Sequence, residues 1–243
     1  MEKVLEVKNL TKLYKNGRGI RNISFEVNKG DVFGFLGPNG AGKTTAMKVV
    51  TGLCRPESGE VRIFGINAGE DYEGAMKSVG CLIEKPEAYE FMSGYSNLEM
   101  AARYYEGIDR PRLDEVLEIV GLSNYAHERV GVYSLGMKQR LGLALAILSR
   151  PGLVILDEPA NGLDIEGMVD IRNIIQRLSR EQCISFFISS HLVHEMELTC
   201  TRIGILSDGE LIAAGTVNEL LDTHPSLEDY FIKQVELDRR LKL

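Results

Sequence analysis

The segment Gly37-Pro38-Asn39-Gly40-Ala41-Gly42-Lys43-Thr44 stands between an unbroken apolar run, Val32-Phe33-Gly34-Phe35-Leu36, and a helix-forming stretch, Thr45-Ala46-Met47-Lys48-Val49-Val50. A buried strand that turns through glycines into a helix is the setting in which a phosphate-binding loop works. Glycines let the backbone curl until several N–H groups point at one anion, and the helix start adds the positive end of its dipole. Lys43 is placed to reach the β- and γ-phosphates, Thr44 offers a hydroxyl to Mg²⁺, and Thr45 opens the helix beside them. A glycine-rich turn with an incidental lysine would not need the strand before it and the helix after it. The loop therefore predicts a nucleoside triphosphate ligand and a parallel α/β sheet to carry it.

Length and composition leave room for that fold and little else. The chain has 243 residues, 44% hydrophobic and 26% charged, which suits one large α/β domain with a small inserted subdomain. A formal net charge of −7 argues against a nucleic-acid partner. Cys54, Cys81, Cys183 and Cys200 show no paired spacing and are expected as buried free thiols in a reducing compartment, without a metal. Met1-Glu2-Lys3-Val4 leads straight into strand-like sequence, so no targeting leader is expected. The longest apolar stretch, Leu141 to Leu148, falls well short of the ~20 residues that cross a bilayer, so a membrane role has to come through another chain.

Periodicity divides the chain. Ile23 to Val27 alternates as a half-exposed antiparallel strand, and Val61-Arg62-Ile63-Phe64 does the same after a turn at Glu57-Ser58-Gly59. Residues 85–150 turn helical. Asn97 is expected to cap a helix running to Tyr105 and ended by Gly107. Pro111 starts another, with Leu113, Val116, Leu117 and Val120 on one face and Gly121 as its stop. From 151 strands and helices alternate: Leu153–Leu156, Ile184–Ile188 and Ile203–Leu206, then an Asp208-Gly209 hairpin into Leu211–Ala214. Residues 1–84 and 151–216 are expected to form the core, 85–150 a helical subdomain, and 217–243 a helical tail packed through Leu220, Leu221, Leu227, Tyr230 and Phe231.

Ligands of open α/β sheets bind beyond the carboxyl ends of the strands, and several apolar runs here end in a polar group. Leu153-Val154-Ile155-Leu156 ends in Asp157-Glu158, giving one carboxylate for Mg²⁺ and a second to take a proton from attacking water. Phe186 to Ser190 ends in His191, able to bond the γ-phosphate or polarise water. Val79 to Ile83 ends in Glu84, a further metal-shell or water-positioning candidate. Ser134-Leu135-Gly136-Met137 opens an apolar helix with Ser134 as its N-cap. Such a start is either a capped core helix or a second anion site.

These residues, in this order over essentially the whole chain, resemble the ATP-binding subunit of ABC transporters. Gly37 to Thr44 is similar to that family's Walker A, and Leu153 to Glu158 to its Walker B with catalytic glutamate. Tyr133 to Arg140 (YSLGMKQR) resembles its signature, Asn161-Gly162-Leu163-Asp164 its D-loop, His191 its switch histidine, and Tyr14 the aromatic that stacks on adenine. The resemblance implies an α/β P-loop NTPase core with a mainly parallel sheet, an N-terminal antiparallel β portion and an inserted helical subdomain. It implies Mg-ATP hydrolysis with Glu158 and His191 catalytic and Thr44, Asp157 and Glu84 around the metal. Tyr14, the loop from Gly37 to Thr45, Ser134, Gly136 and Asp164 would contact nucleotide. It implies also a head-to-tail homodimer with ATP between the loop of one chain and the signature helix of the other, a transmembrane permease docked on the helical subdomain, and a cytoplasmic position on the inner face of the membrane.

Two positions depart from the family pattern. Glu84 stands where glutamine is usual, adding a negative charge near the metal. Leu135-Gly136-Met137 replaces two glycines and a glutamine, leaving Ser134 and backbone N–H groups as phosphate donors. Both departures, with Cys81 to Tyr89, resemble the branch of bacitracin-type and lantibiotic-immunity exporters, which implies export of a peptide antibiotic or similar amphiphile. The competing reading is a soluble ABC-type ATPase acting on ribosomes or another macromolecule. Those normally carry paired cassettes or long coiled coils, and neither is seen here.

Overall fold

The computed structural model describes residues 2–84, 88–222 and 224–241. Among the described residues, ten strands fall into two sheets. The first is antiparallel, in the order β2-β1-β4-β5: β1 (Lys3–Leu13), β2 (Gly19–Asn28), β4 (Ser58–Ile63) and β5 (Ile66–Asn67). The second has six strands in the order β10-β9-β3-β8-β7-β6: β3 (Val32–Leu36), β6 (Val79–Leu82), β7 (Leu153–Asp157), β8 (Ser185–Ser190), β9 (Arg202–Ser207) and β10 (Glu210–Thr216). All its neighbouring pairs are parallel except β9 with β10.

Alternation along the central strands explains how the layers assemble. Phe33 and Phe35 of β3, Leu153 and Ile155 of β7 and Phe187 of β8 point into one core, shared with the antiparallel sheet and with α1 (Lys43–Val50). There Phe25 of β2 meets Phe33, Phe35 and Phe187 at ring-centroid distances of 5.4, 4.6 and 5.2 Å, an aromatic cluster that fixes one sheet on the other. The intervening residues, Val32 and Leu36, Val154 and Leu156, Phe186 and Ile188, face a second core built with the helices. Both faces of the parallel sheet are therefore buried, as an all-apolar strand pattern requires.

The helices of that second core are α3 (Gly94–Ala102), α4 (Arg110–Ile119), α5 (Leu135–Ile147), α6 (Ile165–Gln182), α7 (Val193–Thr199), α8 (Val217–Leu221) and α9 (Leu227–Leu241), while the short α2 (Tyr72–Met76) follows β5. Pro111 lies in the first turn of α4 behind an Asp109 cap, and Gly121 follows that helix in the left-handed region with φ 66°. Leu113, Val116, Leu117 and Val120 are buried as their spacing predicts. The Asp208-Gly209 hairpin forms, with φ 47° and 85°. Of the tail residues, Leu220 and Leu227 are buried, and Leu221, Tyr230 and Phe231 pack partly buried against the same core.

Several local expectations are corrected. Asn97 does not cap α3. The helix begins a turn earlier, where Ser93 accepts the Ser96 N–H, and Asn97 is buried with its amide bonded to the backbone of Tyr89 at 2.8 and 3.2 Å. The helix also ends at Ala102, before Tyr105. Ser58 and Gly59 are not a turn but the start of β4, with Ser58 opposite Thr11. Phe64 lies beyond that strand at φ 49°. The thiols are not uniformly buried. Cys200 is, and burial pushes its pKa up; Cys54 is half-buried, and Cys81 and Cys183 are exposed. Cys81 sits on edge strand β6, and Cys183 takes the left-handed position that closes α6. Lys85, Pro86 and Glu87, part of the stretch resembling the antibiotic-export branch, lie outside the described residues.

Candidate active site

Register places the polar strand ends along one edge of the sheet. Leu36 pairs with Ser190, Asp157 with Ser189 and Leu82 with Leu156, so the segments leaving β3, β7, β8 and β6 emerge side by side. The loop from Gly37 leaves the middle of this edge. Gly42 has φ 104°, and a Cβ there would lie 2.8 Å from Ile20 Cγ2 and 2.9 Å from the Gly19 carbonyl. Gly37 is as tightly held, because its Cβ would meet the Leu206 carbonyl at 2.5 Å. The hairpin after β9 braces the loop from the same side, with the Gly209 N–H donating to the Ala41 carbonyl at 3.0 Å. α1 then starts at Lys43 with no side chain capping its first turn. Its leading N–H groups and the helix dipole form an anion-binding start.

Lys43 is only 5% exposed, and an ammonium so buried needs acceptors. Its Nζ donates to the carbonyls of Gly37 at 2.7 Å and Pro38 at 3.2 Å, and lies 3.2 Å from Glu158 Oε1. The other oxygen of Glu158 is 2.8 Å from His191 Nδ1. Lys43, Glu158 and His191 thus form one continuous chain of contacts. Beside it, the Thr44 hydroxyl donates to Asp157 Oδ2 at 2.8 Å. Glu158 holds a left-handed backbone, φ 50°, a conformation that is costly for a residue with a long side chain.

What holds Glu158 there is Ser189, a residue that the sequence reading passed over. Its Oγ donates to Asp157 Oδ1 at 2.5 Å and accepts the Glu158 N–H at 3.0 Å, from a fully buried position on β8. The signal was available: Ser189 and Ser190 close a run of apolar strand residues, and a buried hydroxyl needs partners.

An open cleft of about 330 Å³ lies over this edge, lined by Tyr14, Asn16, Arg18, Asn39, Gly40 and Lys43 together with Thr44, Thr45, Glu158 and Asn161. Tyr14 is exposed at its rim, with the Lys12 ammonium 5.9 Å from the ring centroid. The edge therefore offers an aromatic platform, an anion-binding loop and helix start, a buried cation, and a carboxylate with an attached imidazole. That set can bind a nucleotide by base and phosphates and take a proton from water at the terminal phosphate.

Glu84, from the end of the edge strand, is the exception among the acidic candidates. Its carboxylate pairs with Lys48 of α1 rather than with Thr44 or Asp157. Hydrogen bonding to that ammonium holds the Glu84 pKa below the usual carboxylate range. Ser134, Gly136 and Asp164 form a second group, with no hydrogen bond to the loop residues among the described residues. Ser134 accepts the Met137 N–H at 3.2 Å as the cap of α5, so this helix start is capped, and Asp164 accepts the Gly167 N–H as the cap of α6. The two starts lie close together, since a Cβ added at Gly136 would meet Cδ2 of Leu163, the residue before Asp164, at 3.8 Å.

The sequence pattern of the family described as ABC transporter matches residues 20–161. An uncharacterized ABC transporter ATP-binding protein of Bacillus subtilis, YhcH, is 45% identical over 97% of this chain and 76% of its own length. The bacitracin transport ATP-binding protein BcrA of Enterococcus faecalis is 43% identical over 90% of this chain and 71% of its own. The lantibiotic transport ATP-binding protein SrtF of Streptococcus pyogenes is 35% identical over 98% of this chain and all of its own. Among solved structures, an ATP-binding subunit of an ABC transporter superposes with a TM-score of 0.83 at 27% identity, covering 95% of this chain and 99% of that one. With the matched segment running from the second strand through the phosphate loop and the Asp157-Glu158 strand end, this chain belongs to the ABC transporter family, as an ATP-binding subunit and ATPase.

Proposed function

We propose that this chain is the motor of an exporter for a peptide antibiotic or similar amphiphile, hydrolysing Mg-ATP in the cleft over Gly37–Thr45 and driving a separate transmembrane permease from the cytoplasmic face of the membrane. The observation that carries the chemistry is the Lys43–Glu158–His191 chain at the mouth of the phosphate loop. The substrate class rests on likeness to the bacitracin and lantibiotic transport proteins. No helix of the described residues is long and apolar enough to cross a membrane, which fits a subunit that works through a partner.

The residues act as follows. Loop N–H groups and the α1 start bind the phosphates, and Tyr14 stacks on the base. A terminal phosphate offers Lys43 a stronger anionic acceptor than the carbonyls and carboxylate it now contacts. Once Lys43 turns to it, Glu158 is free to accept a proton from the attacking water, with its carboxylate oriented by His191 Nδ1. The left-handed backbone at 158, held by Ser189, aims that carboxylate past Asp157.

Thr44 Oγ and Asp157 Oδ2 converge as two hard oxygen donors. Among the described residues, no cluster of three His, Cys, Asp or Glu side chains could hold a metal by itself. Such a pair suits Mg²⁺, which takes few protein ligands and completes its shell with water and phosphate oxygens. Bound there it would neutralise charge on the phosphates.

The signature residues Ser134 and Gly136, with Asp164, would complete the site of a second copy arranged head to tail. The helical subdomain of residues 85–150 would dock the permease. Its exposed Tyr89 and Phe91 rings, 5.7 Å apart, offer an apolar contact. Glu158→Gln tests the chemistry: turnover should fall by roughly 10²–10⁴-fold, the range general-base catalysis spans. ATP should meanwhile drive the variant into stable dimers on size-exclusion chromatography. Unchanged ATPase activity would remove Glu158 from the base role. Capture of the tagged chain from solubilised membranes should bring down a polytopic membrane protein, and recovery of ribosomes instead would overturn the transport reading.

A further inference from the structure

Lys48 is the residue that the nucleotide reading leaves without a task. It lies four positions after Thr44 on α1, so the two side chains stand one above the other on the same helix face, a single turn apart. Thr44 is bonded to Asp157 at the base of the proposed metal site, and Lys48 is ion-paired with Glu84. Glu84 itself sits just past β6 with a left-handed backbone, φ 69°, at the point where the core passes into the helical subdomain. Asp157 and Glu158 already bring two carboxylates to this edge, and a third beside a triphosphate adds repulsion unless a cation offsets it. Lys43 is occupied at Gly37, Pro38 and Glu158, so it is not that cation.

We propose that Lys48 is a charge-balancing and positioning residue for the nucleotide site: it cancels the carboxylate of Glu84 one helical turn from the phosphates and holds that carboxylate away from Thr44 and Asp157 until Mg-ATP is bound. Glu84 then carries no net penalty for ATP entry. The ion pair also ties the phosphate-loop helix to the first residue leading toward the helical subdomain. Its side chains are 32% and 63% exposed, so the pair can be dismantled without opening a buried hole. The inference rests on the nucleotide reading of the cleft.

A double-mutant cycle on nucleotide binding tests it, using displacement of a fluorescent ATP analogue by ATP, with excess Mg²⁺ and with a chelator. Lys48→Ala leaves Glu84 unpaired and should weaken metal-free ATP binding by roughly threefold to tenfold, the scale of one uncompensated charge near water. Glu84→Gln should tighten metal-free binding, and the double variant K48A/E84Q should return to within about twofold of wild type. Lys48→Arg should bind as wild type does. The K48A deficit should shrink as salt is raised. A double variant as weak as K48A would overturn the inference, because the Glu84 carboxylate would then not be the charge that Lys48 offsets. Equal affinity in all four proteins would overturn it as well. Failure of the wild-type protein to bind ATP would instead strike the nucleotide reading itself, and the inference with it.

Discussion

The starts of α1 and α5 are both helix N-termini to which a phosphate role was assigned, yet the chain treats them oppositely. At α1 the first turn carries no side-chain cap, a cation 5% exposed stands at its first position, and glycines 37 and 42 are wedged against neighbouring backbone. At α5 Ser134 satisfies the Met137 N–H itself, Leu135 is exposed, and the first cation along the helix, Lys138, points to Glu90 at 2.5 Å. Gly136 is not tightly held, since a Cβ there would meet Leu163 and Ser134 at the ordinary contact distances of 3.8 and 3.9 Å. One start is specified from within the chain. The other has a glycine whose own fold leaves room for a side chain, which is what half of a shared site would look like.

Mixing inactive chains breaks that comparison most directly. Lys43→Ala should lose roughly 10²-fold or more in turnover, because the loop loses its one buried cation for developing phosphate charge. Gly136→Asp should be folded and equally inactive, placing a carboxylate where a partner's phosphate would sit. Mixed one to one, the heterodimers hold one site with intact Lys43 facing an intact Gly136, so about a quarter of wild-type activity should return. A mixture as inactive as its parts would mean that each chain works alone.

A smaller effect is expected at Ser189, which belongs wholly to the internally specified half. Ser189→Ala leaves the Glu158 N–H and one Asp157 oxygen without their partner, at a stability cost of about 1–3 kcal/mol. Because Glu158 is then less firmly held in its left-handed conformation, kcat should fall while KM stays near wild type. A rise in KM with kcat unchanged would instead place Ser189 in ground-state binding.

The difference between the two halves also explains what was legible in the sequence. The strand, loop and helix from Val32 to Val50 could be read because local needs coincide there: an apolar run, glycines for the turn, a lysine at the helix start. The order of the sheet, β10-β9-β3-β8-β7-β6, was not readable from periodicity, since every central strand is apolar on both faces and the pattern does not say which strands are neighbours. Ser189 escaped for the same reason, because its meaning lies in register with Asp157 on a strand about thirty residues away. Asn97 misled because an amide that bonds backbone looks the same in sequence whether it caps a helix or braces a loop. Glu84 was read as a metal ligand from its strand-end position, and only the fold puts Lys48 beside it.

The finest test of the comparison needs a single methyl group at each glycine. Gly42→Ala forces a Cβ onto Ile20 and the Gly19 carbonyl at a φ of 104°, so it should cost about 1–3 kcal/mol. For a domain of this size that lowers the melting temperature by roughly 2–4 °C per kcal/mol. Gly136→Ala adds its methyl at ordinary van der Waals distance from Leu163 and Ser134 in the first turn of α5, and exchanging glycine for alanine in a helix gains up to about 1 kcal/mol in propensity. It should therefore melt slightly higher than wild type while its ATP-dependent dimer forms less readily. A gain in stability paired with a loss in pairing can arise only if the glycine is kept for something outside its own chain. If both variants melted lower by similar amounts, the α5 start would be as tightly specified from within as the α1 start, and the case for a shared site would lose its structural basis.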